Sequence, residues 1–132
     1  LLGSCIGLAL YDERRRIGGL AHIVLPAASG RADKPAKFVD TAVPALLQAM
    51  TRRAGGTLAP TARIAGGANM VDTNVTRTVG AQNIEACERV LAAHDIPLLA
   101  RHCGGVKGRR MMLDSSDGVI TIEMAGEAPV KL

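Results

Sequence analysis

Aromatic side chains are almost absent from this chain: there is no tryptophan, and Tyr11 and Phe38 are the single tyrosine and phenylalanine in 132 residues. Any core must therefore be built from leucine, isoleucine, valine, alanine and methionine. Proteins that hold single-stranded nucleic acid interleave positive charge with aromatic stacking platforms, and this sequence offers almost none. The formal charge of +4 and an isoelectric point near 9.4 permit an anionic partner without selecting one, and no nucleic-acid partner is expected. Cysteine is scarce as well. Cys5, Cys87 and Cys103 make an odd count without any C-x-x-C pair, which argues against a disulfide framework and against common zinc sites, and suits reduced cytosolic thiols. No apolar run reaches the ~18 residues of a membrane span, and no signal-peptide pattern opens the chain. The expectation is a soluble, cytoplasmic protein with no membrane insertion. Because the chain opens at Leu1, already inside an apolar segment, a truncation at the N-terminus is also expected.

The length suits one domain over residues 1–132, large enough to bury about two thirds of its unfolded surface without disulfides. Residues 2–11 and 17–25 are short apolar stretches separated by Asp12-Glu13-Arg14-Arg15-Arg16, which reads as a β-hairpin. The run 26–37 is rich in small and breaker residues and reads as an exposed loop that function could use as a lid. Phe38, Ala42, Ala45, Leu46, Ala49 and Met50 recur at helical spacing, giving a helix over about 37–53 in which Pro44 either makes a kink or lies near the first turn. A short strand around Arg63-Ile64-Ala65 stops at Gly66-Gly67-Ala68-Asn69-Met70, and a polar stretch, VDTNVTRT, follows.

Ile84, Cys87 and Leu91 predict a second helix near 81–94, with Cys87 as a small buried hydrophobe. Strands are expected at 97–103, 110–113 and 119–124, the last two joined by a tight turn at Asp117-Gly118. The fold class is α+β: a mixed, largely antiparallel sheet or sandwich with two or more helices packed outside. The basic runs Arg14-Arg15-Arg16 and Arg109-Arg110 fall at turns and read as solvated charge.

The hairpin carries the strongest chemical argument. If its loop is even and centred between Glu13 and Arg14, Cys5 stands directly opposite His22, with Gly7 and Gly18 on the same face. Opposed residues hold their Cβ atoms roughly 4.5–5.5 Å apart, within reach of a thiol and an imidazole sharing a proton. An imidazole that accepts the thiol proton raises the thiolate fraction and later returns the proton to a leaving amine. A buried strand cysteine beside a hydrogen-bonded core histidine fits two lone residues as well, and the pairing alone does not separate these readings. Other arrangements offer less. His102 and Cys103 are neighbours in a strand and point to opposite faces. Cys5, His22, His102 and Cys103 lack the spacing of a zinc site, so no metal and no cofactor are expected. His94 falls at a helix C-terminus, where a cation favours the dipole. Gly66-Gly67-Ala68-Asn69 reads as a tight turn rather than a ligand loop, and Gly104-Gly105 with Lys107 and Arg109 is a poor phosphate loop.

In order along the chain, Leu2-Gly3-Ser4-Cys5, Gly18-Gly19-Leu20-Ala21-His22 with Leu25-Pro26, Phe38-Val39-Asp40-Thr41-Ala42-Val43-Pro44, Gly66-Gly67-Ala68-Asn69-Met70, Val79-Gly80-Ala81-Gln82-Asn83-Ile84, and Gly104-Gly105 through Gly108-Arg109 form an ordered set. This set resembles the CheD family, the chemoreceptor glutamine deamidases. The resemblance implies a cysteine-dependent protein-glutamine amidohydrolase of bacterial chemotaxis, with Cys5 as nucleophile and His22 as general base. It also implies receptor cytoplasmic helices as protein substrate and a CheC-type phosphatase as a further partner. In the family a threonine a few residues before the cysteine completes a triad, and the matching position would precede Leu1. A non-catalytic adaptor binding the receptor or the phosphatase is the alternative.

Overall fold

The computed structural model describes residues 1–30, 34–71 and 77–132. The expected α+β class is what the chain adopts. Two antiparallel strands, β1 (Ile6–Asp12) and β2 (Ile17–Ile23), lead through a 3-10 turn at Pro35–Lys37 into helix α1 (Val39–Ala54). There follow β3 (Thr61–Gly66), helix α2 (Val79–Ala93) and β4 (Leu98–Cys103). Last come β5 (Arg110–Leu113), β6 (Ile120–Glu123) and the two-residue β7 (Val130–Lys131). A larger sheet has the order β2-β1-β3-β4, with β4 parallel to β3 across the α2 crossover; a smaller antiparallel one has the order β5-β6-β7.

Strand β1 is buried along its whole length because both of its faces are covered. Ile6, Leu8 and Leu10 point to the helix side, where they meet Val39, Ala42, Val43, Ala86, Cys87 and Leu91. The opposite face carries the small residues Gly7 and Ala9, and here the second sheet packs through Met111, Ile120 and Ile122. Size follows from space: a Cβ on Gly7 would stand 2.8 Å from both Leu2 Cδ1 and Met111 Sδ. The sequence therefore alternates large and small along one strand, rather than apolar and polar, as a central strand between two layers requires.

Pro44 lies inside α1, in its second turn, and the helix continues past it. Only the donor that would have bonded the Asp40 carbonyl is lost there. The Asp40 carboxylate, in the first turn, accepts from Ala28 N at 3.0 and 3.2 Å, tying the segment after β2 to the helix. The loop read as a lid is thus anchored at Ala28 and at the 3-10 turn, while its residues 31–33 lie outside the described residues. So do residues 72–76 of the polar stretch. Helix α1 ends on Gly55, whose φ of 69° is the left-handed cap that glycine adopts without a Cβ penalty.

Two expectations need correction. The first apolar stretch is not a strand throughout: residues 3–5 form a bend and pairing starts at Ile6. Arg109 is not solvated turn charge but only 3% exposed. Its guanidinium donates to the carbonyls of His102 (2.7 Å), Lys107 (3.3 Å) and Gly104, and meets His102 Nδ1 at 2.9 Å. Glycines at positions 104 and 105, with φ of 80° and 71°, turn the chain around that guanidinium.

Candidate active site

The β1–β2 turn fixes where the two candidate residues stand. Asp12 stays in the ladder, opposite Ile17, because its carboxylate accepts from Arg15 N at 2.9 Å inside the turn and from Ala59 N at 2.9 Å across it. These bonds hold the Asp12 carboxyl below the ordinary carboxylate range. The loop is thus Glu13 to Arg16, which meets the condition of an even loop but is centred one residue later than the opposition of Cys5 and His22 requires, with Arg16 at φ 53°. His22 consequently pairs with Gly7 rather than with Cys5. Continued beyond Ile6–Ile23, the register sets Cys5 level with Val24. Cys5 packs against the Ala9 side of the sheet, which is also the His22 side, so the two share a face one diagonal step apart. Such neighbours lie roughly 7–8 Å apart at Cα. No hydrogen bond joins Cys5 to His22, and the exposed His22 ring has no partner among the described residues.

The thiol is carried on a tightly held bend. Gly3 O accepts from Ala68 N, Ser4 O from Asn83 Nδ2 and Cys5 O from Gly67 N, each at 2.9 Å. Three consecutive carbonyls are therefore occupied, whereas the Ser4 and Cys5 amides have no acceptor among the described residues. The glycines explain how the anchors come so near: a Cβ on Gly66 would lie 2.1 Å from Cys5 O, and one on Gly80 2.4 Å from Gly67 O. Gly66 is the paired end of β3 rather than part of the expected tight turn, and with Gly67 it forms the bed on which the cysteine rests, the Gly67 amide being spent on Cys5.

A cleft of about 690 Å³ opens beside the bend, lined by Ser4, Cys5, Asn69 and Met70 and by Thr78 and Val79 at the start of α2. Thr78 caps that helix, its hydroxyl accepting from Ala81 N at 3.2 Å. The positive end of a helix dipole therefore faces the cleft that holds the thiol, a placement that favours negative charge developing there. His22 does not line the cleft; it stands on the exposed face of β2 between Leu20 and Val24.

The remaining candidates separate cleanly. Cys87 is buried among core residues, and burial pushes its thiol up to about 12. Burial also pushes Cys103 up to about 11, and its thiol lies 3.8 Å from Ile64 O. His102 and Cys103 face apart as expected, His102 toward Arg109 and Cys103 toward the helix-side core. His94 caps the end of α2, with Nδ1 2.9 Å from Val90 O. Sequence reasoning passed over Asn83. Its signal was a polar residue on the apolar stripe of an amphipathic helix, one position before Ile84.

Comparison with known proteins identifies the family. The profile of the family described as CheD chemotactic sensory transduction matches residues 24–124. A probable chemoreceptor glutamine deamidase CheD of Clostridium novyi (strain NT) is 40% identical over 95% of this chain and 80% of its own length. The protein of the same description from Desulforamulus reducens is 38% identical over 99% of this chain and 81% of its own. A third, from Clostridium botulinum (strain Hall), is 41% identical over 95% and 80%. On the family match and on relatives of this identity and coverage, the chain belongs to the CheD family.

Proposed function

We propose that this chain is a cysteine-dependent protein-glutamine deamidase acting on chemoreceptors, a single catalytic domain with Cys5 as nucleophile and His22 as general base. The observation that carries the reading is the Cys5 bend: a thiol at a cleft, its neighbouring carbonyls anchored and the Ser4 and Cys5 amides without acceptors among the described residues. Relatives described as chemoreceptor glutamine deamidases support the choice of substrate.

The chemistry starts with the thiol proton passing to His22, whose exposed ring is free to turn along the shared face toward the sulfur. The thiolate attacks the side-chain carboxamide carbon, forming a C–S bond and a tetrahedral oxyanion. The Ser4 and Cys5 amides, together with the start of α2, supply donors and positive potential for that oxyanion. When the intermediate collapses, the C–N bond breaks and His22 returns its proton to the departing ammonia. Water, deprotonated by His22, then cleaves the thioester to leave a glutamate and restore the thiol. The net reaction is glutamine plus water giving glutamate plus ammonia, with no cofactor. A role in bacterial chemotaxis, a cytoplasmic location and a CheC-type phosphatase as partner belong to the same proposal, and rest on the family.

The test is ammonia release, with peptide mass spectrometry for the conversion of carboxamide to carboxylate, from a glutamine-bearing receptor fragment. Wild type should convert it, while Cys5→Ala and His22→Ala should not. A wild-type protein that binds the fragment, leaves every glutamine unchanged and keeps its partner binding in Cys5→Ala would instead be an adaptor.

A further inference from the structure

Helix α2 buries a carboxamide where its apolar stripe needs none. Asn83 has no exposed surface, and its α2 neighbours Ala86 and Cys87 belong to the helix-side core. Its Nδ2 donates to two carbonyls, Ser4 O and Val24 O, each at 2.9 Å. Those two acceptors settle the orientation of the amide, because a flipped side chain would set oxygen against oxygen. The opposite atom, Oδ1, is buried with no partner among the described residues. An apolar side chain would avoid that unsatisfied acceptor.

What the two bonds connect gives the residue its meaning. Ser4 precedes the nucleophile, and Val24 lies two residues beyond His22 on the same strand path. Strand pairing between β1 and β2 stops at Ile6–Ile23. One step further on, where Cys5 and Val24 stand level, Asn83 bridges the two chains from the helix side. The link is thus the last fixed connection between the segment that carries the thiol and the strand that carries the imidazole.

We propose that Asn83 is a positioning residue that holds the Cys5 bend in register with His22, an inference that rests on the Cys5–His22 reading above. Asn83 touches no substrate in this role; it acts through the two backbone segments. A register error of about an ångström between nucleophile and base costs on the order of 100-fold in rate.

The experiment uses the full chain carrying Asn83→Ala or Asn83→Asp, the second keeping the shape of the side chain. Three quantities are read: kcat and KM on a glutamine-bearing receptor fragment, and the pH profile of Cys5 alkylation by iodoacetamide. The expected result is a kcat lower by on the order of 100-fold with KM little changed, and an alkylation profile that moves to that of His22→Ala. Folded variants with wild-type kcat and profile would overturn the proposal. So would a loss matched by the unfolded fraction, or failure of both variants to fold, since each places Asn83 in core packing alone. Turnover retained in Cys5→Ala or His22→Ala is a separate outcome, one that would sink the catalytic reading and the inference with it.

Discussion

At the scale of single residues, the three cysteines are chemically different groups. Burial pushes Cys87 up to about 12 and Cys103 up to about 11, while Cys5 lines an open cleft. Iodoacetamide at neutral pH should therefore label Cys5 alone in the folded protein, with Cys87 and Cys103 reacting only in denaturant; peptide mapping checks this. Labelling of Cys87 at a comparable rate under native conditions would contradict the burial assigned to it. Helical spacing already marked Cys87 as core, and parity along β4 already separated His102 from Cys103. Arg109 was illegible because an arginine after a glycine-rich run looks like surface charge, and only the closed loop supplies three carbonyls to receive it. Asn83 was hidden for a related reason: its partners, Ser4 and Val24, are 79 and 59 residues away in the chain.

At the scale of elements, the hairpin shows both how far pattern reading goes and where it stops. Two apolar stretches around a charged run identified the strands, and an even loop, taken only as a condition, placed Cys5 and His22 on one face. The centre of the loop depended on Asp12, whose carboxylate could have been turn or strand; its bonds to Arg15 N and Ala59 N decide for the strand. Those bonds also make Asp12 an acid-labile joint between the hairpin and the linker into β3. Its folded pKa lies below the ordinary aspartate value of 3.8, so the contribution is complete above that value and is lost as pH falls through the folded one. Replacing Asp12 with Asn should thus lower stability near neutral pH and flatten its fall with acid below about pH 4, as read by denaturant melts across pH. An unchanged acid limb would mean other carboxylates dominate it. Strand β7 was missed because two exposed residues carry no periodic signal.

The whole molecule is layered: two helices, the larger sheet, then the smaller sheet. Its class was legible because strand and helix periods alternate without the β-α-β regularity of a doubly wound fold. That the last strands form a separate sheet over β1 was not, since the cue is the pairing of Gly7 and Ala9 with Met111, Ile120 and Ile122 across a distance no local pattern spans. Ile120 is fully buried at this junction. Truncating it to alanine should cost about 2–5 kcal/mol of global stability while leaving kcat of the folded fraction intact, measured by urea unfolding beside turnover. A local loss of the small sheet alone, with β1 still protected in hydrogen exchange, would argue that the layers fold separately. The backbone of Leu2 bonds that of Arg109 in both directions, at 2.7 and 3.0 Å. For anyone seeking a minimal version of this protein, that pairing sets the limit: a chain cut after Cys103 would keep Cys5 and His22 yet lose the scaffold that holds the thiol's own leader in place.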